Sequence, residues 1–240
     1  MAYRTPGYDI YCRNCPLGSD KAVHSHAECR FEDALLLIVS DYPSTLEERT
    51  GIPFSPTNKE GDINGGKFIR KLLADLFNKD ERIPKQYIPF IDNVVLANAI
   101  RCNPNRGKET LKVDMKEIRE CHDWLARDLA KVHPNVPILV SGSKAVMSVL
   151  GKDRRVNSSR RKIHTLDSHP VVVCENFANV ARYLTKKVTS TYKRRKDGLE
   201  MPSAKSTRLL TPVPLSPPWC LIEDVQLIKE EVIDFINKYK

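Results

Sequence analysis

Cys12-Arg13-Asn14-Cys15 places two thiols two residues apart, a spacing that lets both sulfurs turn toward one metal centre. Alone, that spacing fits a zinc knuckle, a redox pair or chance. Two further cysteines stand where they could join the pair. Cys102 follows a predicted strand and Cys121 lies on the next predicted helix, so one strand-loop-helix would carry both thiols beside the N-terminal segment. Four thiolates suit a [4Fe-4S] cluster or structural Zn²⁺, and spacing does not separate the two. Cys29, Cys174 and Cys220 remain as buried small hydrophobes or ordinary thiols.

A second set of groups gathers around Asp41-Tyr42-Pro43-Ser44, Glu47 and Gly51-Ile52-Pro53-Phe54-Ser55-Pro56, all in one loop. A carboxylate there can position a water. An aromatic ring there can stack on a flat ligand such as a nucleobase, which an enzyme acting on a base must take out of the duplex; equally, Phe54 can fill the core of a rigid proline-rich loop. Asn98, near the end of a predicted strand, carries an amide that donates and accepts together, as reading a pyrimidine edge requires, or it caps a turn. His169, followed by Pro170, could donate to negative charge developing on a ligand oxygen. Arg101 and Arg106 flank Cys102, and Arg154, Arg155, Arg160, Arg161 and Lys162 crowd the stretch before His169. These cations can contact phosphates, or form a solvated charge run.

Such groups need a scaffold, and alternating helical and strand signals over residues 30–185 predict a parallel sheet with helices on both faces. The strands are the apolar runs Leu35 to Asp41, Asn93 to Ile100, Pro137 to Gly142 and Pro170 to Cys174. Apolar residues at helical spacing mark helices over Gly66 to Asn78, Asp114 to Val132, Ser143 to Leu150 and Asn176 to Lys187. Ligands of open parallel sheets bind beyond the carboxyl ends of the strands, which directs attention to the loops after Asp41, Ile100, Gly142 and Pro170. Residues 186–218 read as a basic linker rich in Pro and Ser, with Lys193-Arg194-Arg195-Lys196 as a nonspecific basic motif. A C-terminal helix within 219–240 is expected to dock on the domain or on a protein partner.

Composition is consistent with this. The 240 residues, 41% hydrophobic, suffice for one principal core, and 39 Lys and Arg against 30 Asp and Glu give a net charge of +9, which favours a polyanion such as DNA. No run is apolar enough for a membrane span or a signal peptide, so an intracellular, cytoplasmic location is expected. Seven cysteines cannot all pair, which favours metal or thiol roles over a disulfide framework.

Taken in order, the motifs resemble those of the iron–sulfur (family 4) uracil-DNA glycosylases from Cys12 to about Leu184. That family shows a Cys-x-x-Cys, a strand ending in Gly-Glu-Ala/Gly-Pro-Gly, a glutamate with Gly-x-Pro-Phe, and Asn-Val-Val-Lys-Cys-Arg-Pro. Here they read Cys12 to Cys15, Ser40 to Ser44, Glu47 with Gly51 to Phe54, and Asn98-Ala-Ile-Arg-Cys102-Asn-Pro. Cys121, Ser141-Gly142-Ser-Lys-Ala145 and Ser168-His169-Pro170-Val171 match a helical cysteine, a Leu-Gly-x-x-Ala turn and a His-Pro-Ser loop.

The resemblance implies a three-layer α/β/α domain over residues 1–185 with a central four-stranded parallel sheet, acting as a monomer on DNA. It also implies a structural [4Fe-4S] cluster on Cys12, Cys15, Cys102 and Cys121, and hydrolysis of the base–sugar bond of uracil in base excision repair. Phe54 would stack on the flipped base, Asn98 would read its edge and His169 would stabilise the departing anion. Glu47 would help exclude a 5-methyl group, Tyr42 would sharpen that selectivity or fill the pocket, and Asp41 would replace the family's water-orienting glutamate. Arg106, Arg160, Arg161 and Lys162 would hold the DNA. The departures at Asp41-Tyr42 and Ser55-Pro56 leave two other outcomes open: a same-fold enzyme for another modified base, or a noncatalytic DNA-binding subunit of a replication or repair complex.

Overall fold

The computed structural model describes residues 15–18, 21–57, 64–106, 109–151, 153–181 and 218–240. In chain order its elements are β1 (Leu36–Ser40), α1 (Thr45–Thr50), α2 (Gly65–Phe77), β2 (Val94–Asn98), β3 (Asn105–Arg106), β4 (Glu109–Thr110), α3 (Met115–Leu129), β5 (Ile138–Ser141), α4 (Ser143–Leu150), α5 (Val156–Ser159), β6 (Ile163–Leu166), β7 (His169–Cys174), α6 (177–181) and α7 (Pro218–Tyr239). The sheet order is β2-β1-β5-β7-β6. The first four strands are parallel, as expected, but β6 adds a fifth that runs antiparallel to β7. β6 was not expected because Ile163-His164-Thr165-Leu166 is only four residues long, does not alternate apolar and polar residues, and follows a basic stretch. It is an edge strand with only modest burial, turned into β7 through Asp167 at φ +52°.

Leu36, Leu37, Ile38 and Val39 of β1 are all fully buried. Successive strand side chains point to opposite faces, so burial of all four requires helices on both sides. α3 packs with α4, while α2 packs with α7, which also lies along β7. α2 starts at Asn64, whose side chain accepts from the Lys67 amide at 2.8 Å, and buries Ile69, Leu73 and Phe77 at four-residue spacing.

α7 belongs to this same core. Leu221, Val225, Ile228, Val232, Phe235 and Ile236 are buried in it. The helix expected to dock on the domain or a partner thus commits its apolar stripe to this chain. No described helix is long and apolar enough to cross a membrane.

Candidate active site and cysteine cavity

The register Asn98–Ser40–Ser141–Cys174 puts the last residues of the four parallel strands side by side. Beyond them opens a pocket of about 700 Å³ lined by Asp41, Tyr42, Glu47 and Phe54, by Asn64 to Gly66 at the start of α2, by Asn105, and by Asn176 to Asn179. Asp41 follows β1 directly. Its Oδ1 accepts from the Lys144 and Ala145 amides of α4 at 2.7 and 3.0 Å, and its Oδ2 accepts from Asn176 Nδ2 at 3.2 Å. Gly142 makes this possible: at φ +102°, a Cβ there would stand 2.4 Å from Asp41 Oδ2. Burial pushes the Asp41 carboxyl above its ordinary pKa, and the two α4 amides, Asn176 and the Lys144 charge pull the other way.

Phe54 is held just as firmly. Its backbone sits at φ +54°, a strained conformation for an aromatic residue, and its ring meets Phe177 edge to face at 6.1 Å. Glu47 supplies the clamp: Oε1 accepts from the Phe54 amide at 2.6 Å, while Oε2 accepts from the Ser44 amide at 2.7 Å, closing the N-terminal cap of α1. On the other side α2 comes so close that a Cβ on Gly66 would lie 2.2 Å from the Phe54 carbonyl oxygen. Glu47→Gln replaces one accepting oxygen by a donor that faces an N–H. It should lower the unfolding free energy by about 1–2 kcal/mol in urea titrations. An unchanged midpoint would mean that ring packing alone holds Phe54.

Asn98 is 4% exposed, and both polar atoms of its amide are buried with no partner among the described residues. A buried amide left in this state costs about 1–3 kcal/mol, and among the described residues no other side chain has two polar atoms in it.

His169 is not at this end of the sheet. It begins β7, five positions before Cys174 and roughly 16 Å away by strand rise; it is buried, with Nδ1 2.9 Å from the Val136 carbonyl. The residue that the last parallel strand delivers to the pocket is Asn176. Sequence reasoning missed it because His169-Pro170 attracted the match, although the rule that ligands sit at carboxyl ends of strands would have selected the loop after Cys174.

The expected DNA-binding cations divide. Arg160 is buried: its Nε donates to Asp224 Oδ2 at 2.6 Å, and it lies 3.5 Å from Glu175. Arg161 pairs with Glu223 at 3.1 Å. Both engage α7; burial of Arg160 corrects the reading of it as a DNA contact, whereas Arg161 stays exposed. Lys162 is exposed and outside the pocket lining. Arg106 lies on β3, and its side chain is outside what is described.

Cys15, Cys102 and Cys121 line one cavity together with Arg101, Glu120 and Trp124. Around it Leu17, Ile100, Val113 and Ile118 form a second small core, against which Tyr42 packs. Three elements thus bring soft thiol donors to one apolar site, which is the donor chemistry of an iron–sulfur or zinc centre. Cys12 lies outside the described residues, and among those described no three His, Cys, Asp or Glu are gathered closely enough to hold a metal ion.

The sequence model of the uracil DNA glycosylase superfamily matches residues 27–199. A type-4 uracil-DNA glycosylase of Archaeoglobus fulgidus is 25% identical over 125 residues, which are 52% of this chain and 52% of the relative, so this chain spans about half the length of the curated relative it matches. The family match takes in every described strand and the whole pocket, and it covers well over half of the sequence: the chain belongs to the uracil DNA glycosylase superfamily.

Proposed function

We propose that this chain is a DNA glycosylase that hydrolyses the N-glycosidic bond of uracil. The observation that carries the reading is Asn98. A donor and an acceptor, both buried at the carboxyl end of β2 and unpartnered among the described residues, match the carbonyl and ring N–H that adjoin on a uracil edge. Phe54, in the pocket wall, would stack on a base taken out of the duplex. As the bond breaks, its electrons leave with the base. Asn98 Nδ2 donates to the oxygen that gains charge, water adds to the sugar carbon, and Asp41 accepts the water's proton. Tyr42, on the pocket wall, limits space at the 5-position of the base. The net charge of +9 supplies affinity for the phosphate backbone.

Cys12, Cys15, Cys102 and Cys121 would hold a [4Fe-4S] cluster, with zinc as the alternative. Such a centre would tie the N-terminal segment to α3 and the loop after β2, and it takes no part in hydrolysis.

A second reading, a noncatalytic DNA-binding chain, is favoured by one observation: both Asp41 oxygens already accept hydrogen bonds. The test is anaerobic purification, metal analysis with an absorption spectrum near ~400 nm, and incubation with duplexes containing uracil, hypoxanthine, xanthine or thymine. Brown protein that leaves abasic sites at uracil alone is the expected result. Release of another base would move the substrate, and DNA binding without release of any base would establish the second reading.

A further inference from the structure

Asn176 has a fully determined environment. Its Oδ1 accepts from the Ala178 and Asn179 amides at 3.0 and 3.3 Å, capping α6, so the amide cannot flip without losing both bonds. Its Nδ2 is thereby aimed at Asp41 Oδ2. A carboxylate offers about four lone-pair positions. Two on Oδ1 are taken by α4 and one on Oδ2 by Asn176, which leaves a single position, on Oδ2, for a water. Where that position points depends on where Nδ2 stands.

We propose that Asn176 is a positioning residue for hydrolysis: by fixing Asp41 Oδ2, it directs the one remaining lone pair toward the attacking water. This rests on the glycosylase reading. It also explains how an aspartate can serve where the resemblance places a longer glutamate, since the acid is anchored at both oxygens instead of reaching freely.

Other charges facing Asp41 are few. On α4, Lys144 directs its ammonium to the Val113 carbonyl at 2.9 Å. On the preceding loop and α1 lie Tyr42 and Glu47, the latter engaged with Ser44 and Phe54. Glu175, beside Asn176, lies 3.5 Å from Arg160. The α2 and β3 residues in the pocket, Asn64 to Gly66 and Asn105, are uncharged. Asn176 is therefore the neutral side-chain donor that favours the ionised acid, and its loss should move the Asp41 midpoint further upward.

The experiment uses the full chain with ¹³C-labelled aspartate, the Asp41 carboxyl signal being assigned by its disappearance in Asp41→Asn. Asn176→Ala removes both cap and donor, whereas Asn176→Asp keeps an acceptor for the α6 amides and replaces the donor by a like charge. Both should shift the Asp41 titration to higher pH, Asn176→Asp more. Single-turnover release from uracil DNA should fall by about 10- to 100-fold near neutral pH and recover as pH rises, with DNA affinity unchanged. If the natural chain releases uracil but neither substitution moves the Asp41 titration, or Asn176→Asp is fully active, the positioning role is overturned and the glycosylase reading stands. If the natural chain releases no base, the glycosylase reading falls and the role falls with it, even where the titration moves.

Discussion

Asn98→Ala is expected to reduce base release by about 10²- to 10³-fold, the usual effect of removing one donor aimed at transition-state charge, while DNA affinity stays within about twofold because phosphate contacts supply most of it. The same substitution should leave the melting temperature unchanged or raise it. In the folded chain the amide is buried without a partner among the described residues, so its removal relieves a desolvation cost that offsets the small loss of packing. This combination of lost activity with undiminished stability distinguishes a ligand-reading group from a structural one. Parallel measurement of single-turnover release, fluorescence anisotropy with uracil-containing DNA and thermal melting would provide it. Retained release would remove Asn98 from the site. A drop of several degrees in melting temperature would show that the amide is satisfied inside the fold.

What the sequence revealed of this site follows a physical boundary. β1, β2 and β5 were legible because apolar runs this short, bounded by polar and turn residues, fit strands buried on both faces, and α4 because its helical spacing follows Gly142 directly. Asp41, Glu47 and Phe54 were legible as one loop, and they do share a pocket. The network joining them was not: that Glu47 would clamp the Phe54 amide, or that Asp41 would be taken up by α4 and Asn176, depends on backbone directions that spacing does not encode. Arg160 and Asp224 show the same limit. In the sequence an arginine among arginines looks solvated, and only the fold brings a partner 64 positions away to it.

That pair carries the largest effect on stability expected of a single substitution. Asp224 is fully buried on α7, and its carboxylate accepts from Arg160 Nε at 2.6 Å and from the Arg161 amide at 3.1 Å. Asp224→Ala would take from a buried guanidinium the carboxylate it donates to at 2.6 Å, with Glu175 farther off at 3.5 Å. Removing one partner of a buried ion pair costs about 3–5 kcal/mol, because the remaining charge stays desolvated. For a chain of this size, that corresponds to a melting temperature lower by roughly 10 °C. Arg160→Met combined with Asp224→Leu should regain most of that loss, since two apolar side chains of similar volume fill the site without either desolvation penalty. A double variant as unstable as Asp224→Ala would instead place the stability in the hydrogen bond to the Arg161 backbone. Ending the chain before residue 218 should be more damaging than either. It uncovers the surface against β7 that Leu221, Val225, Ile228 and Val232 now bury, and at about 1.5–3 kcal/mol per fully buried side chain the loss is comparable to the whole stability of a domain. A truncated chain that melts cooperatively at the full-length temperature would show that α7 is an accessory to the core and not a part of it.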